Sequence, residues 1–156
     1  MKLDEIEAWD PDSEHVNAIV ETPKGSQVKF DYDEKRLLFK LGGILPQGSA
    51  FPFNFGFIPS TLGGDGDPLD VLVLMEEPVF AGCLVPSRLL GVIEAEQTDE
   101  EGSSSRNDRL IAVAVDSRAH GALESLKKLP PHLVEEIEHF FIAYNEMRGK
   151  KFKPLG

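Results

Sequence analysis

Alternating hydrophobic and polar positions near the start of the chain predict a series of short β-strands. Residues 27–32 place apolar side chains at every second position, with polar side chains between them. Because the side chains of a strand alternate between its two faces, one face should be buried while the other carries Lys29 and Asp31. The neighbouring segments 15–21 and 36–41 have the length and the closing Pro or Gly residues of strands.

The middle of the chain, residues 44–70, shows no clear period and is rich in Gly, Pro and Phe. An irregular segment of this length in a compact domain is usually functional. After it, residues 71–75 form a fully apolar short strand, and residues 83–96 and 107–115 resemble a long hairpin with a polar tip at 99–106.

From Pro131 onward the apolar positions recur every three or four residues, which predicts an amphipathic helix. Pro131 suits the first turn of this helix and Gly149 its end. A shorter helix is indicated around residues 123–129. Many short strands followed by helices predict a mixed α+β, mainly β fold, in which a small barrel carries flanking C-terminal helices.

Length and composition indicate a soluble protein. The 156 residues suit a single domain spanning 1–156, and no apolar run approaches the roughly 20 residues that a membrane span requires. The N-terminus is acidic and polar, unlike a signal peptide. Cys83 is the only cysteine, so no intrachain disulfide can form, and we expect it to be buried and inert. These features favour a cytoplasmic protein that does not bind membranes.

The formal net charge of −11 disfavours nucleic acid as a partner, because an acidic surface repels phosphate backbones. The same field would also repel a small anionic substrate. This objection fails if some of the carboxylates hold metal ions, since the cations then dominate the local field.

Three carboxylates, Asp65, Asp67 and Asp70, lie within one run of six residues. Hard cations such as Mg²⁺ prefer oxygen ligands of this kind. Pro68 pushes the preceding residue toward an extended conformation, in which Asp65 and Asp67 point to the same side. The alternative is a plain Asp/Gly/Pro turn, which is common. The spacing does not match an EF-hand loop.

The residues around this cluster resemble the signature region of the family I soluble inorganic pyrophosphatases. The resemblance rests on the aromatic run at 51–61, FPFNFGFIPST, and on the acidic run at 65–73, DGDPLDVLV. It extends along nearly the whole chain, through the segments VETP at 20–23, VKFD at 28–31, GVI at 91–93, LIAV at 110–113 and HFFIAY at 139–144.

The resemblance implies a five-stranded OB-like barrel with flanking helices that hydrolyses pyrophosphate to two phosphates with Mg²⁺. It implies that Asp65, Asp67 and Asp70 hold metal ions and that Asp67 also accepts a proton from the attacking water. It implies that Lys29 and Tyr144 contact phosphate oxygens. Glu21 and Asp31 match further acidic positions of the family's pocket. Because bacterial members are often hexamers built from trimers, a homo-oligomer is also expected.

Several positions depart from the family pattern. Gly42-Gly43 stands where an Asp-Arg pair is typical, and two expected tyrosines are Phe51 and Phe55. An expected lysine after the helical tyrosine is Asn145. An Asp-x-Lys pattern is replaced at 107–109, where Arg109 keeps the positive charge for the substrate.

The residue that completes the metal site from the polar hairpin is not fixed by these matches. The acidic tip resembles the family's and nominates Asp99 as a metal ligand, whereas an ungapped count nominates Gln97. The remaining alternatives are Glu96, Asn107 and Asp108.

Three functions are compatible with these observations to different degrees. The leading one is a Mg²⁺-dependent inorganic diphosphatase with pyrophosphate as substrate and phosphate as product. The alternative is a pyrophosphatase-like protein of weak or altered activity that binds a phosphorylated ligand or a partner. A nucleic-acid-binding barrel is disfavoured by the charge and by the lack of interleaved basic and aromatic residues.

Overall fold

A computed structural model of the chain describes residues 2–62 and 67–155. The strands and the helix are, in chain order, β1 (Val16–Thr22), β2 (Val28–Asp33), β3 (Leu38–Ile44), β4 (Asn54–Phe57), β5 (Asp70–Leu74), β6 (Leu84–Ile93), β7 (Ala95–Thr98), β8 (Ser104–Arg106), β9 (Arg109–Ala114), α1 (Pro131–Met147) and β10 (Lys151–Pro154). Short 3₁₀ helices cover Leu3–Glu5 and Leu126–Lys128.

Five strands close into a barrel in the order β1-β4-β5-β9-β6, which confirms the expected architecture. All neighbours are antiparallel except β5 and β9, which run parallel with Asp70 opposite Arg109. Alternate residues of β5 enter two different hydrophobic clusters, so both faces of this strand are buried. Burial on both faces explains its uninterrupted apolar sequence.

Helix α1 packs its apolar stripe against the barrel, with Ile137 and Phe141 almost fully buried. The chain leaves the helix through Gly149, whose φ of +72° is readily adopted by glycine. Strand β10 then pairs with β7 and places Phe152 against Phe141, with 5.7 Å between the ring centroids. The helix and the last strand therefore cover one side of the barrel together.

Two predicted elements differ from the structure in the first half of the chain. The segment 44–70 contains a strand, β4, which alternation does not reveal because all of its residues are buried. A Cβ atom at Gly56 would lie 1.8 Å from the Ile19 carbonyl oxygen, so the glycine permits close approach of β1. The pair Gly42-Gly43 lies within β3 and does not close it.

The second half also departs in detail. The predicted long hairpin is divided, because β7 and β8 form a separate sheet with β10 while β6 and β9 stay in the barrel. The shorter predicted helix is only the 3₁₀ turn Leu126–Lys128, so α1 is the one α-helix of the described residues. Cys83 is partly rather than fully buried. No helix in residues 2–62 or 67–155 is long and apolar enough to cross a membrane.

Candidate active site

A cavity of about 880 Å³ lies where the β2–β3 hairpin, the beginnings of β5 and β9 and the C-terminal end of α1 meet. Both carboxylates and cations line its wall. The carboxylates are Glu21, Asp31, Asp33, Glu34, Asp67 and Asp70, and the cations are Lys29, Lys35, Arg36, Lys40, Arg109, Arg148 and Lys150. Such a mixed lining suits an anion accompanied by a cation better than either ion alone.

The polar face of β2 points into this cavity. Lys29 is only 5% exposed, and its ammonium group donates hydrogen bonds to Asp31 and, at 2.8 Å, to the Phe30 carbonyl. The same ammonium lies 5.4 Å from the centroid of the Phe55 ring. A lysine on a solvent-exposed strand face would show neither this burial nor this ion pair. The alternation in the sequence therefore identified the polar face of β2 correctly, but it did not reveal that other elements of the fold bury this face.

Gly42 provides the space that Asp31 occupies. A Cβ atom at this glycine would lie 2.0 Å from an oxygen of the Asp31 carboxylate. The neighbouring Gly43, where an arginine was expected, has no atom within 4 Å of such a Cβ among the described residues. Gly42 is therefore required by the position of Asp31, whereas Gly43 lies beside open space.

Glu21, near the end of β1, is buried at the floor of the cavity and accepts a 2.8 Å hydrogen bond from the Tyr32 backbone N–H. Burial raises the pKa of its carboxyl group to about 7, against the opposing effect of Lys29. The nearby carboxylates of Asp70 and Asp31 raise this pKa further. A bound divalent cation would favour the ionised form of this crowded group.

Arg109 begins β9 and lies against Asp70 because of the parallel register between β5 and β9. The residue is 4% exposed, and its guanidinium donates to Asp70 and, at 2.5 Å, to the Asn107 side-chain oxygen. The rings of Phe55, Phe141 and Phe152 surround it, with centroids 5.1 to 5.8 Å from the guanidinium carbon. Aromatic faces stabilise such a buried cation.

Tyr144 is both a core residue and a cavity residue. Its ring is 6% exposed and packs against Phe51, with 5.5 Å between the centroids, while its hydroxyl accepts a 3.0 Å hydrogen bond from Arg148. Asn145, at the position of the expected lysine, is instead buried and donates to the Phe141 carbonyl of the same helix at 2.8 Å. The aromatic segment divides similarly, because Phe51 is core while Phe55 also lines the cavity.

The structure brings part of the predicted acidic cluster to the cavity. Asp67 and Asp70 line it, whereas Asp65 falls outside the described residues. Within 2–62 and 67–155, no three His, Cys, Asp or Glu side chains form a group that could hold a metal ion. The carboxylates of Glu21, Asp31, Asp67 and Asp70 nevertheless supply the hard oxygen donors that a divalent cation requires, so the lining fits such an ion.

The position of Asp99 does not agree with its predicted role as a metal ligand. Asp99 is exposed at the β7–β8 tip, where its carboxylate accepts the backbone N–H groups of Glu101 at 3.0 Å and Ser103 at 2.9 Å. Of the alternatives that the hairpin offered, Gln97 and Asn107 line the cavity, and the side-chain oxygen of Gln97 accepts a hydrogen bond from Asn107. Turn capping accounts for the aspartate at the tip.

The sequence reasoning missed the basic residues around the cavity mouth. Arg36 and Lys40 flank Asp33 on the β2–β3 hairpin. A hydrogen bond from the Arg36 backbone N–H at 2.9 Å and a second from its guanidinium at 2.7 Å lower the pKa of Asp33 to about 2. Arg148 and Lys150 come from the end of α1 and the turn that follows it. For Arg148, the sequence did offer a signal: it follows Tyr144 by four residues, and residues with this spacing are neighbours on a helix.

Comparisons with known proteins identify relatives that cover most of the chain. The family model for inorganic pyrophosphatase matches residues 18–155. An inorganic pyrophosphatase of Halalkalibacterium halodurans is 40% identical over 136 residues, which cover 87% of this chain and 80% of that protein. Soluble inorganic pyrophosphatase 1 of Arabidopsis thaliana is also 40% identical, over 86% of this chain but only 61% of the plant protein.

Two solved structures are similar to this chain in fold as well as in sequence. The crystal structure of an inorganic pyrophosphatase from Thermus thermophilus has a TM-score of 0.85 and 33% identity, covering 100% of this chain and 88% of that one. The inorganic pyrophosphatase from Coxiella burnetii has a TM-score of 0.83 and 37% identity, covering 97% of this chain and 89% of that one.

Proposed function

Since the chain belongs to the inorganic pyrophosphatase family and is an inorganic diphosphatase, we propose that its mixed-charge cavity hydrolyses pyrophosphate with Mg²⁺. The observation that supports this location most directly is the meeting of Asp67, Asp70, Lys29 and Arg109 in one cavity. Relatives of the family support a divalent metal as cofactor, and the choice of Mg²⁺ rests on the all-oxygen donor set.

Asp67 and Asp70 are the proposed metal ligands among the described residues, with Asp65 beside them in sequence and Glu21 and Asp31 facing them. When bound, a divalent cation neutralises phosphate oxygens and lowers the pKa of water. The chain's own contribution is to hold these carboxylates together at one end of the barrel. The parallel pairing of β5 with β9 fixes Asp70, and the space left by Gly42 fixes Asp31.

Three side chains are proposed to hold the phosphate oxygens. Lys29 and Arg109 are buried cations whose positions are fixed by Asp31 and Asp70, so little reorganisation is needed when the anion arrives. Tyr144 brings a hydroxyl to the same cavity. The aromatic wall of Phe55 replaces a hydroxyl donor by a ring that lies over both cations.

Asp67 is the proposed base that takes a proton from the attacking water. It is exposed at the cavity wall, where a water molecule can reach its carboxylate. A carboxylate in this position combines proton transfer with proximity to the metal-binding acids. The comparisons do not favour the alternative of a pyrophosphatase-like protein of weak or altered activity that binds a phosphorylated ligand or a partner.

Phosphate release from pyrophosphate in the presence of Mg²⁺ tests the proposal directly. Wild type should release phosphate, and Asp67→Asn should lose roughly a hundredfold or more of the rate, the effect typical of a proton-transfer group. Asp116→Asn is a matched control, because Asp116 is exposed and lies outside the cavity lining. Equal, background-level release from wild type and Asp67→Asn would refute the enzymatic role of this cavity.

Mg²⁺ specificity and assembly need separate measurements. Activity should be restored to metal-free protein by Mg²⁺ but not by Ca²⁺, which is larger and less strict in its geometry. We also propose that the chain forms a homo-oligomer, a trimer or a hexamer, and light scattering coupled to size-exclusion chromatography would measure its mass in solution. A monomeric mass at micromolar concentration would refute the oligomer.

A further inference from the structure

We propose that Arg148, at the C-terminal end of α1, binds a phosphate group of the substrate and orients the Tyr144 hydroxyl toward it. This inference rests on the proposed function, because the ligand is the pyrophosphate held in the same cavity. Arg148 lines that cavity and is itself exposed to solvent.

The charges of the other cavity cations explain why Arg148 matters. Lys29 and Arg109 are each paired with a carboxylate, Asp31 and Asp70 respectively. By contrast, Arg148, like Lys35 and Lys150, makes no ion pair with a carboxylate of the described residues. Of these three cavity cations, only Arg148 donates a hydrogen bond to the Tyr144 hydroxyl within the described residues. Its positive charge is therefore available to an anion that enters the cavity.

The local structure fixes the guanidinium without using up its hydrogen-bond donors. Arg148 caps α1 with its backbone N–H, and its guanidinium carbon lies 5.4 Å from the centroid of the Tyr144 ring. One of its terminal nitrogens donates to the Tyr144 hydroxyl at 3.0 Å. A guanidinium has five N–H donors in a planar fork, so the remaining donors can meet two oxygens of a phosphate.

The hydrogen bond from Arg148 also determines what Tyr144 can do. A hydroxyl that accepts a hydrogen bond from a guanidinium must direct its own proton to a different acceptor. In the cavity that acceptor would be a phosphate oxygen. Arg148 thus contributes one direct contact and one oriented donor.

The neighbouring Asn145 supports this assignment. The resemblance led to the expectation of a lysine at that position, but the Asn145 side chain is 1% exposed and bonded to its own helix. No cationic side chain therefore reaches the cavity from residue 145. Arg148, one helical turn beyond Tyr144, brings a cation to the same wall.

Binding of methylenediphosphonate, a pyrophosphate analogue with a carbon bridge that cannot be hydrolysed, tests the inference by calorimetry with Mg²⁺ present. Arg148→Gln should weaken this binding roughly tenfold or more, the loss expected for a hydrogen bond to a charged group. Arg148→Lys should bind with intermediate affinity, because it keeps the charge but loses the fork. Arg118→Gln is the matched control, since Arg118 is exposed and outside the cavity lining.

Steady-state kinetics give a second readout that a merely structural role would not produce. Arg148→Gln should raise KM for pyrophosphate by a similar factor, while its melting temperature equals that of wild type. In a double-mutant cycle with Tyr144→Phe, the combined loss of affinity should be smaller than the product of the single losses, because the two groups act together.

The outcomes separate this inference from the proposed function. Arg148→Gln with wild-type affinity for the analogue would overturn the role of Arg148, and so would equal losses in Arg148→Gln and Arg118→Gln. If wild type binds the analogue through Arg148 but releases no phosphate from pyrophosphate, the proposed function fails and the phosphate-binding role of Arg148 stands.

Discussion

Glu21 makes the stability of the metal-free protein depend on pH in an unusual direction. Its carboxyl group has a pKa of about 7 in the folded chain, raised by burial from an ordinary value of 4.5. The folded chain therefore keeps this proton to a higher pH than the unfolded chain does. It follows that the free energy of unfolding falls as pH rises through this window, because ionisation is easier in the unfolded chain.

The expected magnitude follows from the size of the shift. At roughly 1.4 kcal/mol per pKa unit, the shift from 4.5 to about 7 corresponds to about 3 kcal/mol once pH is well above 7. Glu21→Gln removes this cost, because the amide cannot ionise yet still accepts the Tyr32 N–H. The variant should match wild type near pH 4 and be more stable by up to about 3 kcal/mol near pH 8.5.

Urea unfolding in EDTA at several pH values measures this difference, because every other titrating group is shared by the two proteins. Added Mg²⁺ should narrow the difference, since a ligand at one hundred times its Kd stabilises the folded protein by about 2.7 kcal/mol. That gain should be smaller in Glu21→Gln, which offers the cation a neutral donor. A difference between the two proteins that does not change between pH 4 and pH 8.5 would refute the reasoning.

Three further substitutions test separate parts of the structure. Gly42→Ala should displace the Asp31 carboxylate and weaken Mg²⁺ binding, measured by calorimetry, roughly tenfold, as loss of support for a metal ligand does. Gly43→Ala, whose new Cβ meets open space, should leave Mg²⁺ binding unchanged. Equal effects of the two substitutions would contradict the role of Gly42. Phe141→Ala should lower the free energy of unfolding in urea by about 3 to 5 kcal/mol, because its ring is fully buried; a loss below about 1 kcal/mol would contradict its place in the core. Asp99→Asn should leave phosphate release unchanged, and a large loss of rate would return this residue to the metal site.

The hairpin that carries Asp99 shows where sequence reasoning reached its limit. Its acidic tip and an ungapped count nominated different residues, and the number of residues in the turn could not be decided from one sequence. Pairing decides it, because β7 is held between β8 and β10, with Gln97 opposite Ser105 and Phe152. That pairing carries Gln97 to the cavity and leaves Asp99 to cap the turn.

What the sequence determined by itself were the features that depend on neighbours along the chain. Period-two alternation located β2 and its polar face, a three-to-four residue period located α1, and the spacing of the acidic run placed Asp67 and Asp70 close together. These properties follow from backbone geometry, which repeats over a few residues. The single-domain organisation of residues 1–156 stays a prediction.

Only the tertiary structure decided which chemical state each polar group has. The sequence put Lys29 on a polar face, but its burial and its pairing with Asp31 come from a cavity assembled by distant elements. Arg109 meets Asp70 because two strands far apart in the chain pair in parallel. Burial, ion pairing and the raised pKa of Glu21 depend on what surrounds a group from every side, and this is set by contacts between residues remote in sequence.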